Sequence, residues 1–379
     1  MEHKIRLSAY ETRMLRLKSQ RLLLESGSPA AVLNRVVGVQ AQEMPAGELS
    51  IWARSSGLTA DDVRQARLET RTVVWTWCMR GTLHLVRAAD APWLLPLLGP
   101  VFIQANQRRF RQLGWDDASA AAGLAWLQAA LEESESGLVR SEIIRGLEQE
   151  GLPYEGQAPY HLIARAALEG LICAGPEQGG ETAYVLFERW IGSLQPLPRQ
   201  EAILRLARRY LAAFGPAGPQ DLARWSGLRQ SEANAAWESL ADEIVAVDAA
   251  GVPGWLLKSS LPWLDEGLPQ DPQVKLLPRF DTYLLGYRDR SLAVDTEFAR
   301  EVNRGGGIIH AVLLVDGQVR GTWKLKRYSK YQKVLLAPFE PLPEGLLPAI
   351  RAEVEELGRF LGEALILDEE IIKNGGSSV

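Results

Sequence analysis

Residues 138–188 read LVRSEIIRGLEQEG (138–151), then APYHLIARAALEG (158–170), LICAG (171–175), PEQGGE (176–181) and TAYVLFE (182–188), and this order decides the fold. In the first two stretches apolar residues recur with the period of a helix that buries one face, and Gly170 stands where the second should stop. The next apolar runs, short and joined by a turn-rich segment, read as two strands. Upstream, AAAGLAWLQAALEES (120–134) is another helix, set off by the break at Ser136 and Gly137. Three helices followed by a hairpin is the order of a winged helix.

Moving outward, the same order returns at a spacing of roughly 80 residues. QEAILRLARRYLAAFG (200–215) is a helix, Pro219 opens the helix QDLARWSGL, SEANAAWESLADE follows, and strands are expected at IVAVDAA and WLLKSS. The first hundred residues fit more loosely, with helices near 8–26, 29–38 and 59–67 and strands at TVVWTWCM and TLHLV. Beyond residue 265 the texture changes. VKLLPRFDTYLLGY, GIIHAVLLVDGQVRGTWKLKRY and KVLLAPFE are strand formers broken by Asp-Gly and Gly-Gly-Gly turns, which predicts a small antiparallel barrel. A helix, PEGLLPAIRAEVEELGRFLGEAL, and a disordered tail close the chain. The expected fold is therefore α+β: winged-helix units over 1–115, 116–195 and 196–264, a β-barrel-like module with its C-terminal helix over 265–370, and a tail over 371–379.

Composition excludes several classes. With 46% hydrophobic and 23% charged residues in 379, the chain is an ordinary globular one, with no secretory leader at its charged N-terminus and no apolar run of membrane-spanning length. A cytoplasmic monomer is expected, since no heptad seam is present. Cys78 and Cys173 lie far apart, and His3, His84, His161 and His310 show no ligand spacing, so neither a disulfide framework nor a metal site is expected. No cofactor is called for. The net charge of −5 argues against simple coating of nucleic acid. One stretch runs against that balance: GQVRGTWKLKRYSKYQK (317–333) holds Arg320, Lys324, Lys326, Arg327, Lys330 and Lys333 and no acidic residue. Such a run also suits a solvated edge strand guarded by lysines.

The most informative short stretch is Val39-Gln40-Ala41-Gln42-Glu43. Ser28 and Pro29 open a helix through AAVLNRVV, and Gly38 falls where it should end. If Gly38 stops the helix and Pro45 keeps Met44 extended, Gln40 and Gln42 share one face of an extended segment and their amides can converge on one water. Spacing alone equally allows two polar residues at a helix end.

These residues, followed some forty positions later by Trp-Thr-Trp-Cys-Met-Arg80-Gly81-Thr82-Leu83-His84-Leu85, resemble the AlkZ/YcaQ family of winged-helix DNA glycosylases. The resemblance extends through Tyr160-His161-Leu162, Ala167-Leu168-Glu169-Gly170, Gly215-Pro216-Ala217, Asp221 to Leu228, and Leu276 to Arg290. Having Gln42 rather than Asp in the second position, the chain is similar to the Gln-x-Gln branch. The resemblance implies three winged helices with a β-barrel appended, and monofunctional hydrolysis of the N-glycosidic bond at N7-alkylated purines, including bulky adducts and crosslinks, with Gln40 and Gln42 as the catalytic pair.

Amides do not titrate, so neither glutamine is an ordinary general base. An N7-alkylpurine, however, already carries positive charge and leaves as a neutral base. What remains is to place a water below C1′ and to stabilise an oxocarbenium-like sugar, which amide oxygens can do. Glu43 is the rival catalyst and on an extended segment points away from both. Further contacts with double-stranded DNA are expected from Arg80 on phosphate, Gly81 by close backbone approach, Thr82 and His84 near the lesion, Arg288 and Arg290 on phosphate with Asp289 orienting an arginine, and Arg320, Lys324, Lys326 and Arg327 on the backbone. Trp75 and Trp77 are read as core, and His161 and His310 as packing residues, the latter in a strand. The alternatives are a non-catalytic winged-helix regulator, indifferent to loss of the glutamines, and a protein-interaction scaffold, indifferent to DNA.

Overall fold

The computed structural model describes residues 5–23, 25–305, 307–329 and 331–368. The chain divides into two compact units, a larger one of Met1–Val63, Leu204–Trp225 and Arg229–Val379, and a smaller one of Arg64–Ile203 and Ser226–Leu228.

In the smaller unit the decisive stretch folds as its periodicity predicts. Helices Asp117–Glu133, Arg140–Gln149 and Ala158–Leu168 precede the antiparallel strands Ile172–Gln178 and Glu181–Leu186. Leu127, Leu131, Ile143, Leu147, Leu162 and Ile163 form their buried stripe. The hairpin Val73–Trp77 and Leu83–Arg87 joins that sheet through Trp75 and Ala174. A 22-residue helix, Ala91–Gln112, was not expected, because Pro96 and Pro100 interrupt its sequence. Gly99 on this helix lies so close to the Leu168 carbonyl that a Cβ would come within 2.0 Å of its oxygen, so only glycine lets the two helices approach. Cys78 and Cys173 are free and buried, and burial pushes the Cys78 thiol up to about 12.

The larger unit contains the helices Ala9–Ser19, Pro29–Val36 and Met44–Trp52, and later Arg199–Phe214 (most of its length), Pro219–Ser226 and Gln230–Ser239. The helices of the third stretch are followed by the antiparallel strands Ile244–Ala249, as expected, and Val252–Leu257, which starts earlier than expected and gives way to a 3-10 helix from Lys258, and the N-terminal strand Ile5–Leu7 adds in parallel to the first of these. Tyr210, Phe214, Trp225 and Tyr287 pack as one aromatic cluster, with ring centroids 4.8–6.0 Å apart.

The C-terminal sheet has five strands in the order Val274–Leu277, Val312–Val315, Gln318–Arg327, Gln332–Pro338, Leu365–Leu367. It is curled but its first and last strands do not pair, so the expected barrel is an open half-barrel. The last strand is also a correction: Leu365, expected to finish the terminal helix, instead opens the strand Leu365–Leu367, which pairs in parallel with Gln332–Val334. The helix itself, Leu347–Leu361, ends at Gly362 in the left-handed conformation, and buries Ile350, Val354, Leu357 and Phe360. Residues 371–379, expected to form a disordered tail, lie outside the described residues. No helix among the described residues is long and apolar enough to cross a membrane.

Candidate active site

Ser28 caps the helix Pro29–Val36, accepting from the Ala31 N–H, and the helix stops one residue earlier than Gly38 would stop it. Val37 takes a positive φ instead, at φ +68° and ψ −36°, although it is β-branched and fully buried. That strain costs on the order of 1–3 kcal/mol and persists only because the surroundings over-determine it. The strand Gly38–Gln40 follows, with Gln40 only 7% exposed, then buried Ala41 and exposed Gln42. The expected extended run through Met44 is shorter in fact: Gln42 and Glu43 form a bend, and Met44 is the first residue of the helix Met44–Trp52, with Pro45 inside its first turn. Proline suits the first turn of a helix, because the donors there have no intrahelical partner. The extended residue is Glu43, at φ −115° and ψ 120°.

The Glu43 carboxylate accepts from Arg279 Nη1 at 2.6 Å. Two residues on, Asp281 is wholly buried and accepts from Ser50 Oγ and from both Arg54 terminal nitrogens. Arg54 Nη2 also donates to Gln20, which in turn donates to Tyr287. Between Arg279 and Asp281, Phe280 is left-handed at φ +60°. Burial, then Arg304 and Arg279, holds the His310 imidazole below its ordinary range, and His310 precedes the strand Val312–Val315 rather than lying in it.

In the smaller unit Arg80 occupies a tight turn at φ +55°, and Thr82 is half-buried with its hydroxyl donating to Met79 O. His84, expected near the lesion, is buried. It is 2% exposed, its Nδ1 lies 2.9 Å from Thr82 O, and burial with the Arg80 charge pushes its pKa down to about 3. Gly81 is left-handed, and a Cβ there would press on the Phe102 ring at 3.3 Å, which by itself accounts for a glycine at this position. Trp77 is core, between Tyr160 and Tyr184; Trp75 is half-buried against Arg67; His161 packs edge-on to Tyr160.

Arg288 and Arg290 line a cavity of about 1000 Å³ together with Arg16, Gln220, Asp221 and Arg300. Arg290 donates through Nε to Leu284 O, and burial and the nearby Arg224 lower its pKa. Asp289 accepts from the Ser291 N–H, so it caps its own turn instead of orienting an arginine through a hydrogen bond. On the strand Gln318–Arg327, Val319, Gly321 and Trp323 face inward, which leaves Arg320, Lys324 and Lys326 together on the outer face. Arg327 lies at the strand's end, and Lys330 is outside the described residues. The run has acidic neighbours after all, from elsewhere in the chain: Glu340 lies 3.8 Å from Arg320, Glu363 3.9 Å from Arg327 and Asp368 3.4 Å from Lys333.

A family model described as DNA glycosylase AlkZ-like matches residues 33–360. The chain belongs to the AlkZ-like DNA glycosylase family. It is 26% identical over 362 residues to an interstrand DNA cross-link repair glycosylase of Streptomyces sahachiroi, covering 91% of this chain and 95% of the relative. The solved structure of the Streptomyces sahachiroi DNA glycosylase AlkZ superposes with a TM-score of 0.81 at 25% identity, covering 96% of this chain and all of that one.

Sequence reasoning about this glycosylase missed Arg279, Asp281 and Arg54, whose partners lie more than two hundred residues away in the chain. It also missed the pair Tyr328 and Tyr331, stacked at 4.9 Å at the tip of the basic hairpin and exposed, with the Lys326 ammonium 5.2 Å from the Tyr328 ring. The signal was there: two aromatics flanked by lysines in a turn, where no core can take them.

Proposed function

We propose that this glycosylase hydrolyses the N-glycosidic bond of N7-alkylated purines in duplex DNA, bulky adducts and interstrand crosslinks among them. Gln40 and Gln42 place the water. Carrying the reading is the position of the two amides: Gln40 ends a buried strand and Gln42 follows in an exposed bend, in a chain of a glycosylase family. The relative named for crosslink repair supports the bulky end of the substrate range.

The bond electrons go to purine N9, which neutralises the imidazolium charge of the alkylated ring, and the sugar gains oxocarbenium character at C1′. Amide oxygens orient the water and direct their negative ends at that cation, while the proton of the adding water passes to solvent. Because leaving-group departure needs no acid, the rate should favour cationic over uncharged lesions. DNA phosphates are taken by Arg288 and Arg290 in the arginine-lined cavity, by Arg80, and by Arg320, Lys324, Lys326 and Arg327 on the hairpin. Winged-helix units over 1–115, 116–195 and 196–264 are our reading of the helix and hairpin order.

The experiment is base release from a duplex carrying one N7-methylguanine or one N7-linked crosslink, with alkaline cleavage of the abasic product as readout. Release above spontaneous depurination is expected. Release indistinguishable from it on both substrates would sink the assignment and favour a DNA-binding module.

A further inference from the structure

We propose that Arg279 is a positioning residue for Gln42, acting through Glu43, and that residues 279–281 form a strap holding the helix Met44–Trp52 at both ends. This rests on Gln40 and Gln42 being the pair that places the water.

The two grips come from residues two apart. Arg279 donates to Glu43, just ahead of the helix, while Asp281 accepts from Ser50 in its last turn and from Arg54 just beyond. A helix of this length runs about 13 Å, whereas two residues of chain span at most about 7 Å. The long side chains of Arg279 and Arg54 make up the difference, and Phe280, between the two grips in the chain, is left-handed. A phenylalanine keeps that conformation only where its surroundings impose it.

The ends differ in kind. Asp281 and Arg54 are fully buried and anchor the strap. Arg279 and Glu43 are partly exposed, so their ion pair adds little to stability, and its worth lies in direction. The buried Arg279 Nε has no acceptor among the described residues, which leaves Glu43 and the Phe280 ring, 5.2 Å away, to orient the guanidinium. Glu43 is bonded to Gln42, and turning one turns the other. An uncharged amide is not drawn to the developing cation strongly enough to correct its own aim, so the aim must be built into the backbone, and misplacement of about 1 Å can cost about a hundredfold in rate.

The test uses the full chain with Glu43→Ala, Arg279→Met and the reversed pair Glu43→Arg with Arg279→Glu. Single-turnover base release from an N7-methylguanine duplex, DNA affinity, and hydrogen exchange of the amides of residues 38–46 are measured. Each single variant should slow release roughly tenfold, exchange faster over 38–46, and bind DNA within twofold of wild type, and the reversed pair should recover most of the rate. Single variants within twofold of wild type in rate and exchange overturn the proposal. So does a loss beyond a thousandfold in Glu43→Ala without rescue by reversal, which makes Glu43 a reacting group. Should wild type release no base, the glycosylase reading fails separately, and the exchange measurement alone decides: unchanged exchange in Arg279→Met refutes the strap, faster exchange upholds it.

Discussion

The Arg54 guanidinium donates to both carboxylate oxygens of Asp281, at 2.8 and 2.7 Å, and neither side chain reaches solvent. Removing one partner leaves the other as an uncompensated buried charge, at a cost of about 3–5 kcal/mol. Asp281→Asn and Arg54→Met should each lower the urea midpoint accordingly. The double variant Arg54→Met with Asp281→Asn should lose less than the sum of the two, and strict additivity would mean that the two groups are not coupled.

If Gln40 and Gln42 place the water as proposed, replacing either amide should cut base release by about 10²–10³, the range seen when one preorganised polar group is removed from a reacting centre. Gln40→Ala and Gln42→Ala should bind lesion DNA as wild type does, and together lose less than the product of their separate losses, because they hold one water. A gel-shift titration beside the single-turnover assay separates a binding defect from a chemical one.

Neither amide titrates, so release should be flat between about pH 6 and 8. Stability should not be. His84 stays neutral in the folded protein, its pKa lowered to about 3 by burial, while the unfolded chain takes up a proton near 6.5. Stability is therefore full above pH 6.5 and falls as pH drops towards 3, by about 2 kcal/mol at pH 5. Denaturation at pH 7 and 5 should show this loss in wild type and a smaller one in His84→Gln; equal slopes would assign the acid sensitivity elsewhere.

On the hairpin, Lys324 and Lys326 share the outer face with Arg320. If each ammonium neutralises one phosphate, Lys324→Ala and Lys326→Ala should each reduce the slope of log affinity against log salt by about 1, without changing sequence preference. A slope equal to wild type in both would move the DNA off this face.

Local signals were legible wherever one element could be read by itself. The helix and hairpin order of residues 117–186, the capping Ser28, and the core position of Trp77 all follow from period and residue type. Errors arose where distant residues override local preference. Val37, not Gly38, takes the positive φ because the buried surroundings impose it, and Met44 turns helical because Pro45 is well placed inside a first turn. The burial of His84 was not legible either, because strand alternation gives a side chain's face but not what covers it. The Arg279 and Asp281 grips join segments no short-range pattern connects.

Lys326 and Lys333 stand directly opposite each other across the hairpin strands, and Asp368, 3.4 Å from Lys333, offsets a like-charge pairing that would otherwise oppose folding. Ionic strength should therefore act twice on this hairpin: a concentrated buffer screens the lysines from each other and from Asp368 alike, so the strands gain and lose together, while the same buffer loosens the grip on nucleic acid. Added salt should accordingly show itself in the hold on DNA well before it shows itself in the integrity of these strands.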